Sequence, residues 1–136
     1  MREGSARRVI RRKDYTPYPW HLDRVALAFE IGEQITTVSC KMNLSLVEPG
    51  KGSGEIVLDG QEIELVSVQL DGQELPKDAF LCDDQRLVIH AAPAQCVLKT
   101  QVRIRPHQNT ALEGLYGSGN FLLTQCEAEG FRKITY

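Results

Sequence analysis

What the chain lacks narrows it before any motif is weighed. Its four cysteines, at 40, 82, 96 and 126, include no Cys-x-x-Cys pair, and no histidine stands at metal-ligand spacing from them. A zinc knuckle or ribbon is therefore set aside, and reduced thiols are the default. No apolar segment of about 7–15 residues opens the chain as a secretory signal would. With no sign of an oxidising compartment, the expected location is cytoplasmic. No run approaches the roughly 18 apolar residues of a membrane-spanning helix, so no membrane partner is expected. No stretch sustains the i, i+3, i+4, i+7 apolar spacing of a long helix, and no repeat recurs at solenoid or propeller periods.

Charge and glycine exclude further classes. A formal net charge of −2 exerts no global pull toward nucleic acid or anionic lipid. The glycines of Pro49-Gly50-Lys51-Gly52-Ser53-Gly54 lack both the GxGxxG spacing and the Lys-Ser/Thr of a P-loop, and no helix follows them. They read as a loop and not as a phosphate cradle. His21, His90 and His107 are scattered singly, so no HExxH helix can be built from them. No Ser/His/Asp or Cys/His hydrolase arrangement can be assembled either. Cys126 stands beside acidic residues, which disfavour its thiolate and argue against a nucleophile. No catalytic residue and no metal ligand are assigned to this chain.

What remains is a chain of 136 residues, 42% hydrophobic and 25% charged, suited to one folded domain with a modest core. Arg2, Arg7, Arg8, Arg11, Arg12 and Lys13 crowd the first thirteen residues, which contain little that could pack. Residues 1–13 read as a flexible basic arm, and residues 14–136 as the domain. Clustered Arg and Lys could bind nucleic acid through counterion release, and such binding would fall steeply with salt. The arm has no interleaved aromatic platform, however, so a solvated leader with no nucleic-acid partner is the better reading.

From Tyr15 onward the pattern is that of strands. Pro17 and Pro19 bracket Tyr18 and enforce an extended entry. Val25, Leu27, Phe29 and Ile31 alternate as in a half-buried strand, and Val38, Cys40, Met42, Leu44 and Leu46 repeat the spacing after a short Gly32-Glu33-Gln34 link. Asp59-Gly60, Asp71-Gly72 and Asp83-Asp84 each separate apolar runs and read as hairpin turns. Leu98, Thr100, Val102 and Ile104 face one way while Lys99, Gln101, Arg103 and Arg105 face the other, until Pro106 ends the strand. The expected fold is all-β: an antiparallel β-sandwich or a curved, saddle-like sheet, with at most short helical turns, one of them near residues 109–116.

The stretch from Asn109 to Tyr136 is the most peculiar. In its run Thr124-Gln125-Cys126-Glu127-Ala128-Glu129-Gly130, an extended backbone would put Gln125, Glu127 and Glu129 on one face, an edge suited to binding a cation.

Residues from Lys13 to Tyr136 resemble the N-terminal domain of aminopeptidase N, the zinc-dependent alanyl aminopeptidase family. The resemblance is carried by KDYTPYPW with the following LDRVALAFEI, and most specifically by NTALEGLY followed by TQCEAEGFRKITY. The middle of the chain, from Glu48 to Pro106, matches in hairpin rhythm and in fragments such as LDGQEIELVSVQLDG. The resemblance implies a β domain seated on a thermolysin-like catalytic domain of the same polypeptide. On these motifs Glu127 matches the acidic residue that binds the free α-amino group of a peptide substrate, and Gln125 matches its neighbour at the first side-chain pocket. Glu129 is left out of the site, because nothing in the motif keeps its carboxylate from a structural Arg or Lys.

The family's HExxH with its distant Glu and its GxMEN segment are absent. The resemblance therefore implies a chain inactive alone, with no cofactor of its own and one zinc ion in the missing catalytic domain. It further implies a domain that continues past Tyr136, and surface left bare that favours self-association of the fragment. A relative that has lost catalysis and serves as a protein-interaction scaffold would read much the same.

Overall fold

The computed structural model describes residues 9–51 and 54–136. Among the described residues there are ten strands and three short 3-10 turns. The strands are β1 (Trp20–Ile31), β2 (Thr36–Leu46), β3 (Ile56–Asp59), β4 (Glu64–Leu70), β5 (Gln73–Glu74), β6 (Phe80–Cys82), β7 (Arg86–Ile89), β8 (Gln95–Ile104), β9 (Gly114–Ser118) and β10 (Phe121–Gln125). A five-stranded sheet runs β1-β2-β8-β4-β5, a three-stranded sheet runs β3-β7-β6, and β9 and β10 form a separate hairpin. Every pairing is antiparallel, so the all-β reading holds.

One buried cluster joins the two larger sheets. Val38, Met42 and Leu44 of β2 and Leu98, Val102 and Ile104 of β8 meet Ile56 of β3 and Leu87 and Ile89 of β7. The alternation read for β8 is reproduced, with Leu98, Thr100, Val102 and Ile104 buried, Lys99, Arg103 and Arg105 exposed and Gln101 half-buried. Burying apolar side chains on one face while charges keep the other in water is what a period of two permits. Burial in this core pushes the Cys40 thiol up to about 11.

Two of the expected hairpins form as read. At Asp71-Gly72 both residues take positive φ, 49° and 80°, and Leu70 pairs with Gln73 across a two-residue turn. At Asp83 the carboxylate accepts from the backbone N–H of Gln85 and of Arg86, at 2.8 and 2.9 Å, and closes the β6–β7 turn. These same bonds hold its carboxyl below the ordinary range, the Gln85 bond contributing most.

Three expectations are corrected. Asp59-Gly60 is not a hairpin turn: β3 pairs with β7, while β4 joins the other sheet beside β8. Gly60 is required there because the ring of Tyr136 occupies the place a Cβ would take. The helical turn expected near 109–116 is also absent. A 3-10 turn lies just before it, at Pro106–Gln108, and β9 begins at Gly114. The Asn109 side chain organises this stretch instead, donating to the carbonyls of Glu113 and Leu115 at 2.6 and 3.0 Å and accepting from the N–H of Ala111 at 3.0 Å. The third correction concerns β1. Its apolar face is not covered as that of a core strand is: Val25, Leu27, Phe29 and Ile31 are 47, 39, 42 and 62% exposed. β1 is the outermost strand of its sheet, and the opposing layer stops short of it.

The first eight residues, and with them Arg2, Arg7 and Arg8 of the basic arm, lie outside the described residues, as do Gly52 and Ser53 of the glycine loop. The rest of the arm is exposed, and residues Arg12–Asp14 form a 3-10 turn.

Candidate functional site

The acidic run sits on a turn fastened at both ends. On its N-terminal side β10 pairs with β9, Gln125 opposite Gly114. On its C-terminal side the chain enters a 3-10 turn, Gly130–Lys133, and then buries Ile134, Thr135 and Tyr136. The Tyr136 hydroxyl reaches Cys82 Sγ at 3.1 Å. Burial first, and this bond next, hold its phenol well above the ordinary range. The Gln61 N–H donates to the Arg132 carbonyl at 2.8 Å, and Lys133 Nζ lies 3.3 Å from Glu62.

Two glycines let the halves of this stretch close on each other. A Cβ at Gly130 would collide with the Gln125 carbonyl oxygen, and one at Gly114 would lie 2.8 Å from Lys133 Cβ, at a backbone φ of 76°. A third, Gly117, leaves room for the His107 ring against β9. The glycines of the two signature segments thus serve a single packing arrangement.

This closure overturns the expectation of one extended polar face. β10 ends at Gln125, and the Gly130 N–H donates to the Cys126 carbonyl at 3.0 Å, closing Cys126–Glu129 into a turn that contains a cis peptide between Glu127 and Ala128. The three polar side chains consequently part company. Glu129 pairs with Arg132, whose Nε also donates to the Glu129 carbonyl at 3.0 Å. Gln125 and Glu127 are exposed, and Glu127 has no ion-pair partner among the described residues. Cys126, between them, is half-buried against the core. An exposed carboxylate beside an exposed amide can accept hydrogen bonds from a cationic group. The sequence missed the role of Asn109, for which an Asx-type turn at Asn-Thr-Ala was the available signal.

No group of three or more His, Cys, Asp or Glu among the described residues could hold a metal ion. His21 lies 3.4 Å from Asp23 on the surface, and His107 is taken up by packing against Gly117.

The chain is 43% identical over 123 residues to aminopeptidase N of Caulobacter vibrioides, a match covering 90% of this chain and 14% of that protein. It is 39% identical over 125 residues to aminopeptidase N of Escherichia coli, covering 92% of this chain and 14% of that protein. By sequence, the chain is a relative of the aminopeptidases N. It spans only 14% of the length of these curated relatives. No family model matches it. Among solved structures, Legionella pneumophila aminopeptidase A in complex with aspartic acid superposes with a TM-score of 0.83 at 23% identity, covering 91% of this chain and 15% of that one. An M1 zinc metallopeptidase of Deinococcus radiodurans bound to a Tyr-Ser-Ala substrate superposes with a TM-score of 0.68 at 16% identity, covering 86% of this chain and 28% of that one. These likenesses establish the fold.

Proposed function

We propose that this chain is the N-terminal, substrate-anchoring part of a zinc aminopeptidase that removes N-terminal residues from peptides. The observation that carries the reading is Glu127, exposed, without an ion partner among the described residues, and held on a turn fixed on both sides. In this reading Glu127 accepts from the protonated α-amino group of the substrate, and Gln125 lies beside it at the first side-chain pocket. A charge-assisted hydrogen bond of this kind contributes roughly 1.5–3 kcal/mol. Anchoring the amino end fixes how far the first peptide bond lies from it, which is the geometry of an exopeptidase.

Bond cleavage is assigned to a catalytic domain of the same polypeptide. A zinc ion bound there would polarise the scissile carbonyl. The described residues of this chain offer no ligand set for such an ion, so their contribution is binding and orientation. The names of the relatives support this assignment, as does the peptide held by the Deinococcus neighbour. The cysteines are free thiols, in keeping with a cytoplasmic setting. Neither nucleic acid nor a membrane is a partner in this reading.

The test is Glu127→Gln in the full-length polypeptide, assayed on a peptide with a free amino end and on its acetylated twin. The expected loss in kcat/KM on the free peptide is about 10- to 100-fold, with much less change on the acetylated one. An unchanged kcat/KM on the free peptide would sink the anchor.

A further inference from the structure

Gly114 stands where the two ends of the acidic turn meet. It pairs with Gln125, the last residue of β10, and a Cβ placed on Gly130 would lie 3.1 Å from the Gly114 nitrogen. Gly130 in turn closes the segment through its N–H to the Cys126 carbonyl. Both glycines are buried. A shift of the backbone at Gly114 therefore reaches both ends of the segment that carries Glu127.

One side chain holds the backbone on either side of that glycine. The Asn109 amide donates to the carbonyl of Glu113, just before Gly114, at 2.6 Å and to that of Leu115, just after it, at 3.0 Å. Its oxygen accepts from the Ala111 N–H at 3.0 Å, so one backbone donor and two backbone acceptors fix which way the amide points. The backbone between them has an unfavourable shape to keep. Leu112 has a φ of 57° and Gly114 one of 76°, and Leu112 takes up this left-handed conformation despite its Cβ. Asn109 is tied to the core in its turn: its own N–H donates to the Pro106 carbonyl at 3.2 Å, in the 3-10 turn that follows the buried end of β8 at Ile104.

We infer that Asn109 is a positioning residue for the anchor: it carries the position of β8, through the carbonyls that bracket Gly114, to both ends of the turn that presents Gln125 and Glu127 to the amino end of a peptide. Asn109 has this role only if Glu127 is the anchor, and it acts through that residue without touching substrate. Asn109→Asp isolates the effect. The aspartate has the same shape and keeps the acceptor for Ala111, but it sets a carboxylate oxygen against two carbonyl oxygens where the amide donated.

The test is a double-mutant cycle in the full-length polypeptide, with Asn109→Asp, Glu127→Gln and the two combined. The readout is kcat/KM on a peptide with a free amino end, at a temperature where circular dichroism shows every variant folded. Asn109→Asp alone should lower kcat/KM by about tenfold, because a binding group displaced by a fraction of an ångström no longer orients the substrate. Added to Glu127→Gln it should cost less than about threefold more, since the residue it positions is already disabled. Leu98→Ala in the core is the control for stability alone and should leave kcat/KM within about twofold. Where Asn109→Asp does not fold, Asn109→Ser completes the cycle: its hydroxyl can accept from Ala111, cannot reach both carbonyls and brings no charge. Glu127→Gln lowering kcat/KM while the Asn109 variants lower it equally in both backgrounds, or in neither, would overturn the role of Asn109 and leave the anchor standing. A loss from Leu98→Ala as large as that from Asn109→Asp would overturn it too, by reducing the effect to stability. No loss from Glu127→Gln would sink the anchor, and the role of Asn109 with it.

Discussion

Two strands of one sheet, β8 and β1, alternate apolar and polar residues almost equally well, and the fold treats them oppositely. β8 lies inside the sheet between β2 and β4, and its alternate residues from Cys96 to Ile104 are buried. β1 lies at the edge, and apart from Trp20 its residues are exposed. Alternation states which face is apolar; what covers that face depends on strand order and on the opposing layer. The bulge between Leu22 and Arg24 adds to the difference, because it changes which residues share the face of Trp20. Trp20 itself is tied down, its indole N–H donating to the Glu55 carbonyl at 2.8 Å.

The contrast is sharpened most by truncating a residue of β8. Leu98 has no exposed surface and belongs to the cluster joining the two larger sheets. Leu98→Ala is expected to destabilise the fold by about 2–5 kcal/mol, the range of cavity-forming substitutions in packed cores. Urea unfolding at unchanged m-value measures it. A cost below about 1 kcal/mol would mean that this core collapses freely and that the inner and outer strands differ less than their burial implies.

Gly130→Ala comes next in size. The added methyl would meet the Gln125 carbonyl oxygen, a backbone atom fixed by the pairing of β10 with β9. Overpacking of this kind costs about 1–3 kcal/mol. The same variant should reduce discrimination between free and acetylated peptides in the full-length polypeptide, because the turn carrying Glu127 must shift. Full stability together with full discrimination would show that the turn is not held as tightly as the core it leads into.

These cases also show what could be read from the residues. The β1–β2 hairpin, the Asp71-Gly72 turn and the inward face of β8 were legible because each rests on local rules, of turn chemistry or of period two. The partner of β3 was not. Asp59-Gly60 has the composition of a turn, but its glycine answers to Tyr136, more than seventy residues away, and no local pattern reports such a contact. Gln125 and Glu127 were singled out as candidates only through the resemblance of their segment to a known one. Their supposed common face with Glu129 failed because Gly130 folds the chain back by a hydrogen bond to Cys126, which parity along an extended strand cannot foresee. Arg132, three residues on from Glu129, pairs with that carboxylate, while Glu127 has no ion-pair partner among the described residues.

The smallest effect belongs to the outer strand and tests the comparison most directly. Leu27 is the β1 residue paired with Cys40 of β2, and it is 39% exposed where Cys40 is 2% exposed. Leu27→Ala removes side-chain atoms that already contact water, so the loss in stability should stay within about 0.5 kcal/mol. A loss as large as that of Leu98→Ala would mean that part of this same chain covers the face in solution, and the distinction between the two strands would vanish.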